Sequence, residues 1–280
     1  METSVCEQTL CLEHRILDSL FVYPLHIKEL TFNSCSIPPF HTLPSTLRVL
    51  RYDNCNVPQI GDLPPTLEEF YCRNSAITHI GVCPSSLRIF HCNYNPNLRM
   101  LPALPEGLHE LNLEGCGLGQ LLPLPSTLED LNVSVNSLET IESLPSGLKY
   151  LLCDMNQLTE IHAFPDTLVA IRCEGNQLSV LPPLPASLRG LFVKENHLTC
   201  LPLLPKGLLH LSCSYNRISV LPELSPTMIT LECAGNRIEQ IGMLPETITV
   251  LRVAGNPLRE LPRQLPPNLS EETDVFVFGW

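Results

Sequence analysis

None of the short motifs that mark the common enzyme classes occurs in this chain: there is no glycine-rich phosphate loop, no GxSxG and no HExxH. There is no CxxC, and the histidines are scattered, so a zinc site is not expected. No apolar run is long enough to span a membrane. Glu2, Glu7 and Glu13 rule out a basic segment followed by an apolar one, so no secretory signal peptide is expected. Cations are scarce, with 17 Lys and Arg against 29 Asp and Glu, which sets the net charge at −12. That balance argues against nucleic acid or an anionic membrane as partner and favours a protein partner with a basic patch. There is one tryptophan but there are 27 prolines. Proline this frequent on a strict period means repeats rather than disorder.

The period is twenty residues. Copies begin at Tyr23, Leu43, Leu63, Cys83, Leu104, Leu124, Leu144, Phe164, Leu184, Leu204, Leu224 and Leu244, and the fourth carries one extra residue near Pro96. Their shared frame, LPxxLxxLxxxxNxLxxLPx, contains LxxLxxxxNxL, the core of a leucine-rich repeat, and a fixed period of this size marks a solenoid. The chain divides into 1–22, a cap; 23–263, twelve repeats; and 264–280, a C-terminal cap or tail, all within one structural domain. The fold class is an α/β-type solenoid, mostly parallel β, in the form of a shallow horseshoe.

One coil cannot bury a core alone, but stacked coils can. Counting Leu144 as slot one, slots five, eight, ten, fifteen and eighteen stay apolar and belong inside. Slot thirteen becomes a column of one side chain: Asn95, then Asn136, Asn156, Asn176, Asn196, Asn216, Asn236 and Asn256, with Cys35, Cys55, Ser75 and Cys116 in the other copies. A carboxamide there can satisfy turn backbone that would otherwise be buried unpaired. Prolines in slots two and nineteen lack an amide hydrogen and fix φ, which predicts polyproline II on the return side of each coil.

Residues 1–22 do not fit the frame, and Leu12, Ile16, Leu17, Leu20 and Phe21 fall near helical spacing. An amphipathic helix over Glu7 to Leu20 is expected to cap the first coil. Of the 13 cysteines, six fall in slot ten and three in slot thirteen, which reads as core filling in a reducing compartment. Pairs such as Cys72 and Cys92, Cys153 and Cys173, or Cys213 and Cys233 should stand on adjacent strands about 4.8 Å apart. At the other end, Val275, Phe276, Val277, Phe278 and Trp280 can cover the last coil, while Ser270 to Asp274 resemble an acidic translocation signal of type IV effectors.

The frame resembles the bacterial twenty-residue leucine-rich repeats of the YopM and IpaH type, over Tyr23 to Arg263 and most specifically in Leu181–Leu188 and Leu201–Leu208. The resemblance implies a parallel-sheet solenoid that binds host proteins after delivery by a type III or type IV system into the host cytoplasm. For the ubiquitin-ligase branch it implies a helical domain with a catalytic cysteine after the repeats. Only Gln264 to Trp280 follow here, so the expectation is a chain lacking that domain.

Function then falls to the variable slots. Side chains alternate along a strand, so slots seven, nine and eleven face the concave side. Two clusters emerge there: Tyr71, Arg73, Ile89 and His91, and Tyr150, Leu152, Arg172 and Phe192. Between them lies an acidic strip, Glu110, Glu114, Asp130 and Asp154. Aromatic and arginine side chains carry most interface energy. The expected function is a non-enzymatic protein-binding effector with no cofactor or metal; the alternative is the substrate-recognition part of a ubiquitin ligase.

Overall fold

The structure, a computed structural model, describes residues 5–6, 8–18, 21–39, 42–98, 100–260 and 264–270. The chain forms two compact units, Met1–Ser137 and Leu138–Trp280. Both are parallel β-solenoids, about twelve turns in all, and no helix occurs among the described residues.

In the first unit, the parallel strands are Thr9–Glu13, Glu29–Asn33, Val49–Asp53, Glu69–Arg73, Ile89–His91, Glu110–Asn112 and Asp130–Asn132. Each pairs with the next in repeat register, Thr9 with Glu29 and Glu29 with Val49. At the longer copy, Ile89 pairs with Glu110, so the extra residue is absorbed outside the sheet. In the second unit, Tyr150–Leu152, Ala170–Arg172, Gly190–Phe192, His210–Ser212, Thr230–Glu232 and Val250–Arg252 follow the same register. Slots five, eight and ten are buried throughout, as Leu148, Leu151 and Cys153 show. In the early coils, aromatic rings fill this core: Phe32 stacks on Tyr52 at 4.9 Å, and Phe70 packs on Phe90 at 5.3 Å.

The slot-thirteen amides join neighbouring coils. Asn176 Oδ1 accepts from Leu158 N–H at 3.0 Å, while its Nδ2 donates to Cys153 O at 3.0 Å and Cys173 O at 3.2 Å. Asn196, Asn216, Asn236 and Asn256 repeat this pattern, and Asn95 makes it in the first unit. Asn136 and Asn156 make the corresponding bonds within their own units, Asn136 being half-buried. Cysteine makes a shorter version: Cys55 Sγ accepts from Cys35 N–H at 3.4 Å and donates to Phe32 O at 3.4 Å. The slot-thirteen cysteines are therefore hydrogen-bonding rungs as well as core filling.

A second ladder runs through slot four. The Thr46, Thr66, Thr167 and Thr247 hydroxyls each reach backbone carbonyls of the preceding coil, Thr167 Oγ1 donating to Leu148 O at 2.7 Å. Where the slot is Gly107, the Arg88 guanidinium reaches its carbonyl at 2.8 Å instead.

Two expectations are corrected. The N-terminal helix is absent: Thr9–Glu13 is a strand, paired in parallel with Glu29–Asn33 and preceded by the antiparallel Val5–Cys6. Leu10, Leu12 and Leu17 occupy slots eight, ten and fifteen of one more coil, with Leu10 and Leu12 buried. Over so short a window, the five-residue step of the frame imitates helical spacing; Glu7 and Leu20, the ends of the expected helix, lie outside the described residues. The return side is also not uniformly polyproline II. Gln59–Ile60 pairs with His79–Ile80, and Thr140–Ile141 pairs with Glu160–Ile161. In these coils slot nineteen keeps its amide hydrogen, and Gly81 and His162 use theirs on Ile60 O and Ile141 O. Pro182, Pro202 and Pro222 have none to give. At the C-terminal end, Ser270 N–H bonds Thr249 O at 2.8 Å, which continues the coil path to that residue; the aromatic tail over Asp274 to Trp280 lies outside the described residues.

Candidate interaction surface

The strands hold most side chains of slots seven and nine half-buried on one face, alternating with the buried slots eight and ten; Tyr150 and Arg252 are exposed, and Gly190 and Ser212 are buried. In the first unit this face carries a row across three strands. The Arg51 guanidinium lies 4.8 Å from the Tyr71 ring centre, and Tyr71 meets His91 edge-on at 5.1 Å. Glu69 ties the row together, accepting from the Tyr71 hydroxyl at 3.0 Å and pairing with Arg51 at 3.5 Å. His91 Nε2 lies 3.6 Å from Glu110, too far for a hydrogen bond. Burial holds the His91 pKa below its usual 6.5, although Glu69 pulls the other way. Ile89 is half-buried beside this row.

Arg73 does not join Tyr71. Its guanidinium turns outward over the Tyr94 ring, 5.7 Å from the centre, and the Tyr94 hydroxyl donates to Glu114. Glu114 also accepts from Asn132 Nδ2 at 3.3 Å. Glu110 and Asp130 stand on paired strands, both half-buried. Glu114 is thus bound into a polar network with Tyr94 and Asn132.

In the second unit, Arg172 is the centre. Its Nε donates to Asp154 at 3.0 Å, a second nitrogen meets Glu174 at 3.3 Å, and its guanidinium carbon lies 5.3 Å from the Phe192 ring centre. Burial raises the Glu174 pKa against the pull of Arg172. Burial alone would lower the Arg172 pKa, but Asp154 and Glu174 hold it above its ordinary value. The Phe192 ring folds over Gly190, where an added Cβ would sit 2.8 Å from Cε2. Leu152 pairs in register with Arg172, and Arg172 with Phe192, so the three side chains are strand neighbours. Tyr150 is the most exposed of the cluster, at 41%.

Slot twelve belongs to this surface and has no fixed letter. Its backbone is left-handed in coil after coil, at Tyr94, Val135, Met155 and Tyr215 as well as at Gly115, Gly175 and Gly235. At three coil boundaries a large side chain covers a glycine: Tyr94 lies over Gly115, Met155 over Gly175 and Tyr215 over Gly235, each too close for a Cβ. Lys194 stands 5.4 Å from the Tyr215 ring centre, repeating in the second unit the relation of Arg73 to Tyr94. Only the comparison of slot twelve between successive copies carries a sequence signal for this packing.

Among the described residues there is no group of side chains able to hold a metal ion and no helix long and apolar enough to cross a membrane. The chemistry on offer is hydrogen bonding, ion pairing and aromatic contact.

No family model and no curated relative matches the chain. Solved structures do. YopM from Yersinia enterocolitica is 28% identical, with a TM-score of 0.59, over 94% of this chain and 72% of that one. YopM of Yersinia pestis, described as a leucine-rich effector protein, is 26% identical, with a TM-score of 0.66, over 89% of this chain and 83% of that one. A leucine-rich-repeat protein of Leptospira interrogans shares the fold at 18% identity and a TM-score of 0.52, over 90% of this chain and 85% of that one. The chain has the fold of the bacterial leucine-rich-repeat effectors.

Proposed function

We propose that the chain is a non-enzymatic effector that a type III or type IV system delivers into the host cytoplasm, where it occupies the surface of a host protein. Its contact surface is the strand face, with the cluster of Tyr150, Leu152, Arg172 and Phe192 in the second unit as principal anchor. The observation that carries this reading is the fixing of Arg172. Two carboxylates and an aromatic ring hold a long, flexible side chain in one place, so little ordering cost remains when a partner docks. Aromatic and arginine anchors of this kind dominate interface energies. Asp154 and Glu174 beside them suit a partner that presents a basic patch.

The test is affinity capture from host-cell lysate with the intact chain and with the Leu152→Asp, Phe192→Asp double variant. The intact chain should retain a partner that the variant loses while melting at an unchanged temperature. Equal capture by both would overturn the assignment of this face.

A further inference from the structure

A second surface lies on the return side of the last coils. There a groove of about 1170 Å³ is lined by Leu221, Pro222, Ile241, Gly242, Met243 and Pro245. Three observations mark this place within the second unit. Its slot-eighteen side chains are buried at Ile141, Ile161, Leu181 and Leu201, but Leu221 and Ile241 are half-exposed, so the apolar core opens into the groove. Gly242 takes the slot that proline fills at Pro182, Pro202 and Pro222. An added Cβ there would meet nothing within 4 Å, and its N–H has no partner among the described residues. Met243 beside it is 95% exposed. An apolar floor with an unused backbone donor at its edge is the arrangement that takes up an extended segment.

Charge decides what kind of segment. Glu223, Glu246 and Glu260 also line the groove, and none of its described lining residues is basic. The chain's own last residues begin with Glu271, Glu272 and Asp274, and a second copy carries the same net charge of −12, so both are repelled. We propose that this groove is a docking site, separate from the strand face, for an extended protein segment whose apolar side chains are flanked by lysine or arginine.

The experiment is fluorescence anisotropy of the intact chain with a fluorescein-labelled peptide that places leucines and a proline between lysine pairs, compared with the same peptide carrying glutamates in place of the lysines. The lysine peptide should bind, should weaken as salt is raised, and should outbind the glutamate peptide by about tenfold or more. Gly242→Phe puts a side chain into open space without a left-handed backbone to oppose it. It should cost about tenfold in affinity at an unchanged melting temperature. The Leu152→Asp, Phe192→Asp variant should bind the peptide normally, which separates this site from the strand face. Equal binding of the two peptides, or undiminished binding by Gly242→Phe, would overturn the proposal. So would binding that appears only after residues 271–280 are removed, because the groove would then belong to the chain's own tail.

Discussion

The backbone N–H of Leu158 donates at 3.0 Å to the side-chain oxygen of Asn176, a residue of the following coil. Asn176 in turn donates to Cys153 O in the coil of Leu158 and to Cys173 O in its own, so one carboxamide satisfies polar groups on both sides of a coil boundary. Asn176→Ala leaves these groups buried and unpaired. It should lower stability by about 1–3 kcal/mol in chemical denaturation. Asn176→Cys should cost less, because cysteine makes both kinds of bond at Cys55. An alanine variant with the parent's denaturation midpoint would contradict the role of this column.

Val135 holds a φ of 58°, a backbone region that branched side chains avoid, and it is 47% exposed, so little packing offsets the cost. Asn54 and Asn74 occupy the same slot with the same backbone. Val135→Asn should therefore stabilise the protein by roughly 1 kcal/mol, read as a higher melting temperature. A lower one would show that the valine side chain earns its place through contacts.

Much of this was legible because position in the frame dictates environment. The strand register, the buried slots and the adjacency of Leu152, Arg172 and Phe192 all follow from a period of twenty. The first coil reads as a helix because Leu12 and Leu17, five residues apart, sit beside Ile16 and imitate a helical stripe. Slot four carries no legible signal because Thr, Ser and Gly vary there while the bonded carbonyls stay the same. Slot twelve is silent in the sequence because its constant is a backbone angle, shared by Tyr94, Val135 and Met155 without a common side chain. Arg73 turns to Tyr94 rather than Tyr71 because that left-handed residue brings its ring beside the end of the strand, a geometry that alternation along the strand does not foretell.

Thiol chemistry should sort by slot. Burial raises the Cys233 pKa to about 12 and the Cys55 pKa to about 11 and holds Cys213 well above the ordinary range, while the neighbouring Cys173 thiol, together with burial, does the same for Cys153. Cys200 is exposed. Brief treatment of the folded protein with iodoacetamide, followed by peptide mapping, should label Cys200 and leave Cys72, Cys92, Cys153, Cys173, Cys213 and Cys233 unmodified. Labelling of the slot-ten cysteines without denaturant would show that the core opens locally.

Acid should weaken the first unit through His91. Burial lowers its pKa in the folded state below 6.5, so between the folded and unfolded values the unfolded chain binds more protons. The neutral ring's contribution is intact above the unfolded value and is lost as pH falls through it toward the folded value. The stability difference between the parent and His91→Gln should therefore shrink on going from about pH 7.5 to about pH 5.5. A difference that stays constant over that range would place the His91 ring in solvent.

The most direct measurement places a photocrosslinking amino acid at Leu152, on the strand face, or at His162, exposed on the return side of the same coil. Each variant is irradiated in host-cell lysate, and the adducts are compared with the partner captured by the intact chain. Covalent capture of that partner from position 152 and not from position 162 is the predicted result. Adducts with the partner from position 162 alone would contradict the assignment of recognition to the strand face.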